Sequence, residues 1–306
     1  MTTDQQIDHE RFRAAERVLL DAKGVEATEQ FIDLAQLGCQ LRVLSAGDGP
    51  PVLLVPGTQS AAAVFVDLVQ RLPDFRCIML DRPGVGLSDL VRQPPTTMTE
   101  HEHVGDLLLV DVLDAIGLET SHVVCTSLGG YWAFRSLAAA PERFDRVVAL
   151  AYQVGASTEY LPGWMKLAMK AEPPRWMIPR RPRLNTWLVK KSLGPWGMKD
   201  AIRTGKFTDE LADYFVATYR HTDTFRNENV YVPKPTEHSS TLLSTIEAPV
   251  KVVWGANDVF GPEMAAQRFV EELGNATLLM LPDADHAVWI DQPDTVATAV
   301  RAHLNG

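Results

Sequence analysis

His122-Val123-Val124-Cys125-Thr126-Ser127-Leu128-Gly129-Gly130 decides how the rest of this chain is read. An apolar, β-branched run stops at Thr126-Ser127, and helical spacing follows from Leu128 to Pro141. A strand therefore meets a helix at a serine with small residues two places before and two places after it. So sharp a turn needs small neighbours and holds its central residue in a strained backbone conformation. The helix beyond it points unpaired N–H groups at the serine, which makes Leu128 N–H a natural oxyanion donor. Taken alone, Ser127 supports two readings, a nucleophile or the N-cap of a tight turn.

Outward from this stretch the same pattern recurs. Gln40–Leu44, Val52–Val55, Cys77–Leu80, Arg146–Ala151, Val250–Trp254 and Ala276–Leu281 are apolar runs ending in turn chemistry, most of them followed by helical periodicity. Such alternation predicts an α/β protein with a mostly parallel, doubly wound sheet covered on both faces. Arg11–Leu20 has helical spacing, giving an N-terminal helical extension over about residues 8–30. The core is expected over 1–153 and 241–306. From 154 to 240 the alternation stops: prolines 162, 173, 174, 179, 182 and 195 separate short helical pieces such as Thr208–Tyr219. That length exceeds a plain loop and predicts a helical insertion.

The chain has 306 residues, 46% hydrophobic and 22% charged, as in an ordinary globular protein. A net charge of −10 argues against general nucleic-acid binding, which needs a basic surface. No apolar run approaches the roughly 20 residues that span a bilayer, and the polar Met1–Glu10 lacks the core of a signal peptide. Cys39, Cys77 and Cys125 form no paired motif, so neither a disulfide frame nor a zinc site is expected. A reduced, cytoplasmic setting fits these features.

The elbow at Ser127, Gly129 and Gly130 resembles that of the α/β-hydrolase superfamily, in its serine-nucleophile branch with a helical cap. The similarity runs from about Leu41 to the C-terminus and departs at Cys125, where glycine is usual. It implies the order nucleophile, acid, histidine at the ends of successive strands. Trp254-Gly255-Ala256-Asn257-Asp258 follows one strand and resembles the acid loop. Leu281-Pro282-Asp283-Ala284-Asp285-His286 follows the last strand. Asp258 and His286 are thus the expected acid and base. Alone, Asp258 reads as a helix-capping carboxylate and His286 as a loop histidine packed by Trp289; with Ser127, in order, they read as a triad. Of the other histidines, His101 and His103 fall in what reads as a solvated first helical turn capped by Thr99 and Glu102. A metal site on that pair lacks a further ligand.

Val55-Pro56-Gly57-Thr58 resembles the family's oxyanion loop with proline in place of histidine, and Thr58 N–H is the second expected donor. Asp81-Arg82-Pro83-Gly84-Val85-Gly86-Leu87-Ser88 matches another family signature and reads as scaffold. A dinucleotide site fails because Asp89 stands where a third glycine belongs. Serine at the elbow excludes the aspartate nucleophile of related dehalogenases and epoxide hydrolases.

In this family an insertion at 154–240 implies a cap over the site. Here it carries Trp164, Trp176, Trp187 and Trp196, with Met165, Met169, Met177 and Met198, an apolar roof able to repack. From Lys166 to Lys206 eleven Lys or Arg face two acidic residues, a net +9 on a chain of −10. Trp164, Trp176, Met177, Trp187, Arg180, Arg181 and Arg183 are the candidate substrate-binding residues. The same surface suits an anionic membrane or an acidic carrier, or is simply a solvated basic face.

The chemistry expected is hydrolysis of an ester or thioester of an apolar small molecule, which can carry an anionic group. His286 would take the Ser127 proton, an acyl-enzyme would form, and no cofactor would be needed. Carbon–carbon cleavage of the meta-cleavage type keeps the same triad. A perhydrolase is a more distant variant, and a binding or receptor protein with vestigial catalysis comes from another class.

Overall fold

In the computed structural model, residues 3–152, 160, 162–170, 175–230 and 238–306 are described. Helix α1 (Thr3–Ala22) buries Phe12, Leu19 and Leu20 along one stripe. Strands β1 (Thr28–Leu34) and β2 (Cys39–Ala46) then form an antiparallel pair. The helical extension therefore ends at Ala22, short of the expected 30, and a strand unread in the sequence follows it. Only two β1 residues, Ile32 and Leu34, are buried, so the strand carries little apolar signal.

The chain continues through β3 (Pro51–Val55), α2 (Val66–Val69), β4 (Arg76–Leu80) and α3 (Met98–Ile116). Next come β5 (Ser121–Thr126), α4 (Leu128–Ala139) and β6 (Phe144–Leu150). Between β6 and the next strand lie α5 (Gly163–Lys170), α6 (Thr186–Leu193), α7 (Lys199–Arg203), α8 (Asp209–His221), α9 (Thr224–Val230) and α10 (Ser240–Leu243). The fold closes with β7 (Val250–Gly255), α11 (Glu263–Leu273), β8 (Ala276–Leu281), α12 (Val288–Asp291) and α13 (Pro293–Leu304). Of the residues used to read the insertion, Glu172, Pro173 and Pro174 lie outside the described residues.

The eight strands are ordered β1-β2-β4-β3-β5-β6-β7-β8, parallel from β4 through β8. Val52 and Leu54 enter the core on one face of the sheet, Leu53 and Val55 the core on the other, all four fully buried. Each such side chain stabilises the fold by about 1.5–3 kcal/mol. Burial on both faces is why these strands read as unbroken apolar runs. The order reverses at β3 and β5, the crevice where open α/β sheets hold ligands, outside the carboxyl ends of the strands. Val55 is paired with Cys125, so the loop after β3 and the elbow after β5 leave the sheet side by side.

Helix α3 begins with a capping box of Thr97 and Glu100, two residues before the expected Thr99 and Glu102. His103 is exposed, but His101 is fully buried between the rings of Tyr131 and Trp132, at 5.2 and 4.3 Å. The solvated reading thus fails for His101, because α3 packs that face on α4. Among the described residues no helix is long and apolar enough to cross a membrane.

Candidate active site

Ser127 has φ 48° and ψ −133°, a conformation that non-glycine residues rarely adopt. It is held there from both sides: Ser127 N–H donates to Leu150 O at 3.2 Å, and Gly130 N–H donates to Ser127 O at 2.9 Å. A Cβ built on Gly129 would stand 2.3 Å from the Val55 carbonyl oxygen, so only glycine lets α4 start this close to β3. Cys125 fits where glycine is usual, because its side chain lies in the core and its thiol faces Val148 O at 3.7 Å. Burial pushes that thiol far up, which disfavours the reactive thiolate.

Asp258 and His286 follow β7 and β8, at the sheet edge that Ser127 also occupies. Their side chains meet, with His286 Nδ1 2.9 Å from Asp258 Oδ2. The second carboxylate oxygen of Asp258 accepts from Phe260 N–H at 2.8 Å. A carboxylate at Nδ1 places the ring proton there and leaves Nε2 as the acceptor. Burial works against the imidazolium, yet the charge and hydrogen bond of Asp258, with Asp285 and Asp291 behind, hold His286 above 6.5. Asp285 spends its oxygens on backbone N–H groups, those of His286 at 2.8 Å and Lys199 at 3.2 Å. Gly197 O accepts from Ala287 N–H at 3.2 Å, so the stretch leading into α7 grips the histidine loop twice.

The loop after β3 lies against the elbow: a Cβ on Gly57 would stand 2.9 Å from the Ser127 Cβ. Thr58 is exposed there. The buried Arg82 donates from Nε to Pro56 O at 2.8 Å and from Nη2 to Gly57 O at 2.7 Å. Read from sequence as scaffold, Arg82 thus reaches the loop after β3 that lies against the elbow. Its local motif carries no sign of this, since the partner carbonyls come from another strand.

The remaining candidates separate. Trp164 stands 5.4 Å from Trp196, Trp196 6.2 Å from Phe260, and Phe260 4.4 Å from His286, ring to ring. Trp176, Met177 and Trp187 are 83%, 57% and 63% exposed. Arg180 and Arg181 both donate to Asp223, Arg181 also pairs with Asp8 of α1, and Arg183 is exposed. The basic stretch is thus partly neutralised by carboxylates from outside it.

A family model described as the Alpha/beta hydrolase family matches residues 52–299. The chain belongs to the alpha/beta hydrolase family. This hydrolase is 26% identical over 274 residues to 2-hydroxy-6-oxononadienedioate/2-hydroxy-6-oxononatrienedioate hydrolase of Paraburkholderia phymatum, covering 86% of this chain and 91% of that one. Among solved structures it is similar to carboxylesterase CesB of Bacillus subtilis, with TM-score 0.74, 20% identity and coverage of 98% and 99%. It is also similar to 2-hydroxy-6-oxo-6-phenylhexa-2,4-dienoate hydrolase of Rhodococcus sp. strain RHA1, with TM-score 0.70, 20% identity and coverage of 92% and 100%. At that identity both structures speak to the fold of the hydrolase alone.

Proposed function

We propose that this hydrolase uses Ser127 as nucleophile, His286 as base and Asp258 as the residue that orients it. The carbon–carbon bond beside the ketone of a 2-hydroxy-6-oxo-dienoate is the proposed scissile bond. What carries the mechanism is the strained Ser127 on the sheet edge that also bears the His286–Asp258 hydrogen bond. What carries the substrate class is a relative named for such a substrate over 86% of the chain.

His286 takes the Ser127 hydroxyl proton as Oγ adds to the ketone carbon, and the oxyanion turns to Leu128 N–H and Thr58 N–H. In the ketonised dienoate, the carbon–carbon bond then breaks toward the chain that ends in the 2-oxo acid. That electron pair is delocalised onto the 2-oxo group, and imidazolium returns the proton. Water, activated by His286, releases the acyl group as a carboxylic acid. Residues 154–240 act as the cap, and its Trp164 and Trp196, with Phe260 of the core, form an apolar wall toward His286.

An ester or thioester would be opened by the same groups, so the substrates are compared directly. Purified protein should turn over a 2-hydroxy-6-oxo-dienoate at least about tenfold faster, in kcat/KM, than a 4-nitrophenyl ester of similar size. A fluorophosphonate should modify Ser127, and Ser127→Ala should abolish both reactions. The reverse order of substrates restores the ester reading, and an adduct on another residue removes the nucleophile.

A further inference from the structure

Gln59 has φ 56°, a second non-glycine residue in the left-handed region beside the elbow. Its N–H donates at 3.1 Å to Glu228 Oε2, which reaches it from α9, 169 positions along the chain. The other oxygen, Oε1, lies 3.0 Å from Arg82 Nη1, and each of these side chains is only 1% exposed. Arg82 in turn holds the carbonyls of Pro56 and Gly57. Among the described residues all peptide bonds are trans. In a trans unit the carbonyl and the next N–H point in opposite directions. Holding Gly57 O on Arg82 therefore turns Thr58 N–H away from the guanidinium. The following unit is held at Gln59 N–H by Glu228 and at Thr58 O by the Ser60 hydroxyl, 3.3 Å away. Both peptide planes flanking Thr58 are thus held, one by Arg82 and the other by Glu228 together with Ser60.

We infer that Glu228 is a positioning residue, which acts with Arg82 to aim the Thr58 N–H at the oxyanion. The inference rests on the proposed role of Thr58. Docking of α9 does not account for Glu228. Thr224 Oγ1 already accepts from Gly86 N–H, and Asn227 donates to Gly84 O, both at 2.8 Å. These two hold the helix on the 84–86 turn, whereas Glu228 passes that turn and reaches the oxyanion loop. The Arg82–Glu228 contact is an ion pair without a hydrogen bond at Oε1, buried where water screens it little, so the two side chains are drawn together beneath the loop. A chain segment between β6 and β7 thereby completes a donor site that belongs to β3.

The test uses Glu228→Gln, which keeps the volume and an acceptor for Gln59 N–H but breaks the charged pair. Arg82→Met/Glu228→Met removes both charges together and leaves no buried ion unpaired. Asn227→Ala loosens the same helix without touching the loop. Rates are read with 2-hydroxy-6-oxohepta-2,4-dienoate and 4-nitrophenyl acetate, alongside inhibition by a trifluoromethyl ketone, which forms an oxyanion on serine. Loss of one oxyanion donor costs roughly 10²–10³ in kcat, so its misdirection in Glu228→Gln should cost about tenfold or more. KM should stay within about threefold, and affinity for the ketone should fall by the same factor as kcat. The paired variant should be no faster than Glu228→Gln. Asn227→Ala should melt earlier with kcat unchanged. If Glu228→Gln folds and keeps kcat within about twofold, the positioning role is wrong, and a kcat that falls only in step with the folded fraction has the same meaning. If Glu228→Gln does not fold, the paired variant decides by the same criteria. Absence of a fluorophosphonate adduct on wild-type Ser127 instead removes the parent reading, and the inference with it.

Discussion

Gly197 rests on His286: a Cβ built on Gly197, whose φ is +91°, would stand 2.2 Å from the Cβ of His286. The contact is backbone against a side-chain root, so neither partner can swing aside. Gly197→Ala should displace the imidazole from its place beside Asp258, and misplacement by about 1 Å can cost roughly 10²-fold in rate. Gly205→Ala is the control, since Gly205 also has positive φ (+75°) but nothing within 4 Å of its Cβ position. Both variants should melt earlier than wild type, and only Gly197→Ala should lose kcat by that factor. Equal kcat in the two would mean that the contact has no bearing on the base.

Asp258 should set both the size and the pH position of activity. Asp258→Asn should lower kcat by roughly 10⁴-fold, the loss seen when the same change inverts the imidazole tautomer in a serine protease. Ser127→Ala with His286→Ala should be hardly worse than either alone, because groups acting as a unit are not additive. His286 must be neutral to accept a proton, and it is held above 6.5. The acid limb of kcat/KM should therefore have its midpoint above 6.5 and move down in Asp258→Asn. A limb that stays in place would assign it to another group.

Acid should destabilise the fold through histidines that the proposed mechanism does not use. Burial holds His101 and His238 down at about 4, with Arg82 and Arg135 adding to it at His101 and Arg135 at His238. Both rings contact Tyr131, His101 edge-on at 5.2 Å and His238 stacked at 4.6 Å. The unfolded chain protonates both near 6.5, so their contribution to stability is whole above 6.5 and is lost as pH falls toward 4. His286 has the opposite sign: its contribution is whole below 6.5 and fades as pH rises through its higher folded value. The urea midpoint should thus drop between pH 7 and pH 5, and His101→Phe should shrink that drop. An undiminished drop would place the sensitivity elsewhere.

Arg181 should anchor the N-terminal helix more than it steers substrate. It pairs with Asp8 of α1 and with Asp223, and Asp8 also meets His221 Nδ1 at 2.9 Å. Arg181→Gln should lower the melting temperature by a few degrees, as suits loss of paired, partly buried groups. Arg183→Gln, at an exposed position, should not. Raising salt should change kcat/KM alike for an anionic and a neutral substrate, because two of the three arginines are already paired. A fall confined to the anionic substrate, abolished in the Arg180→Gln/Arg181→Gln/Arg183→Gln variant, would instead show that these arginines steer it.

That Ser127, Asp258 and His286 stand just after β5, β7 and β8 was legible, because each follows an apolar strand breaking at a turn; their role as a triad is the proposal. The parallel sheet was legible for the same reason: strands buried on both faces are apolar throughout. Strand β1 was not, since only Ile32 and Leu34 of its residues are buried and its pairing with β2 is what makes it a strand. The burial of His101 is invisible in the sequence because the cap of α3 lies two residues before Thr99, and because its cage of Tyr131 and Trp132 belongs to another helix. The charge count over Lys166–Lys206 could not include Asp8, Asp209 or Asp223, which lie outside that stretch and pair with it.

By itself the sequence determined which residues stand at strand ends, in what order, and with what intrinsic chemistry. These properties depend on side-chain type and on contacts a few positions apart, so a linear reading captures them. Tertiary structure alone decided the rest: that β3 and β5 are neighbours where the strand order reverses, that Gly197 closes on His286, and that Glu228 meets Gln59 across 169 positions. Such contacts are set by how helices and loops pack once the sheet has formed, and packing depends on the shape of both surfaces at once.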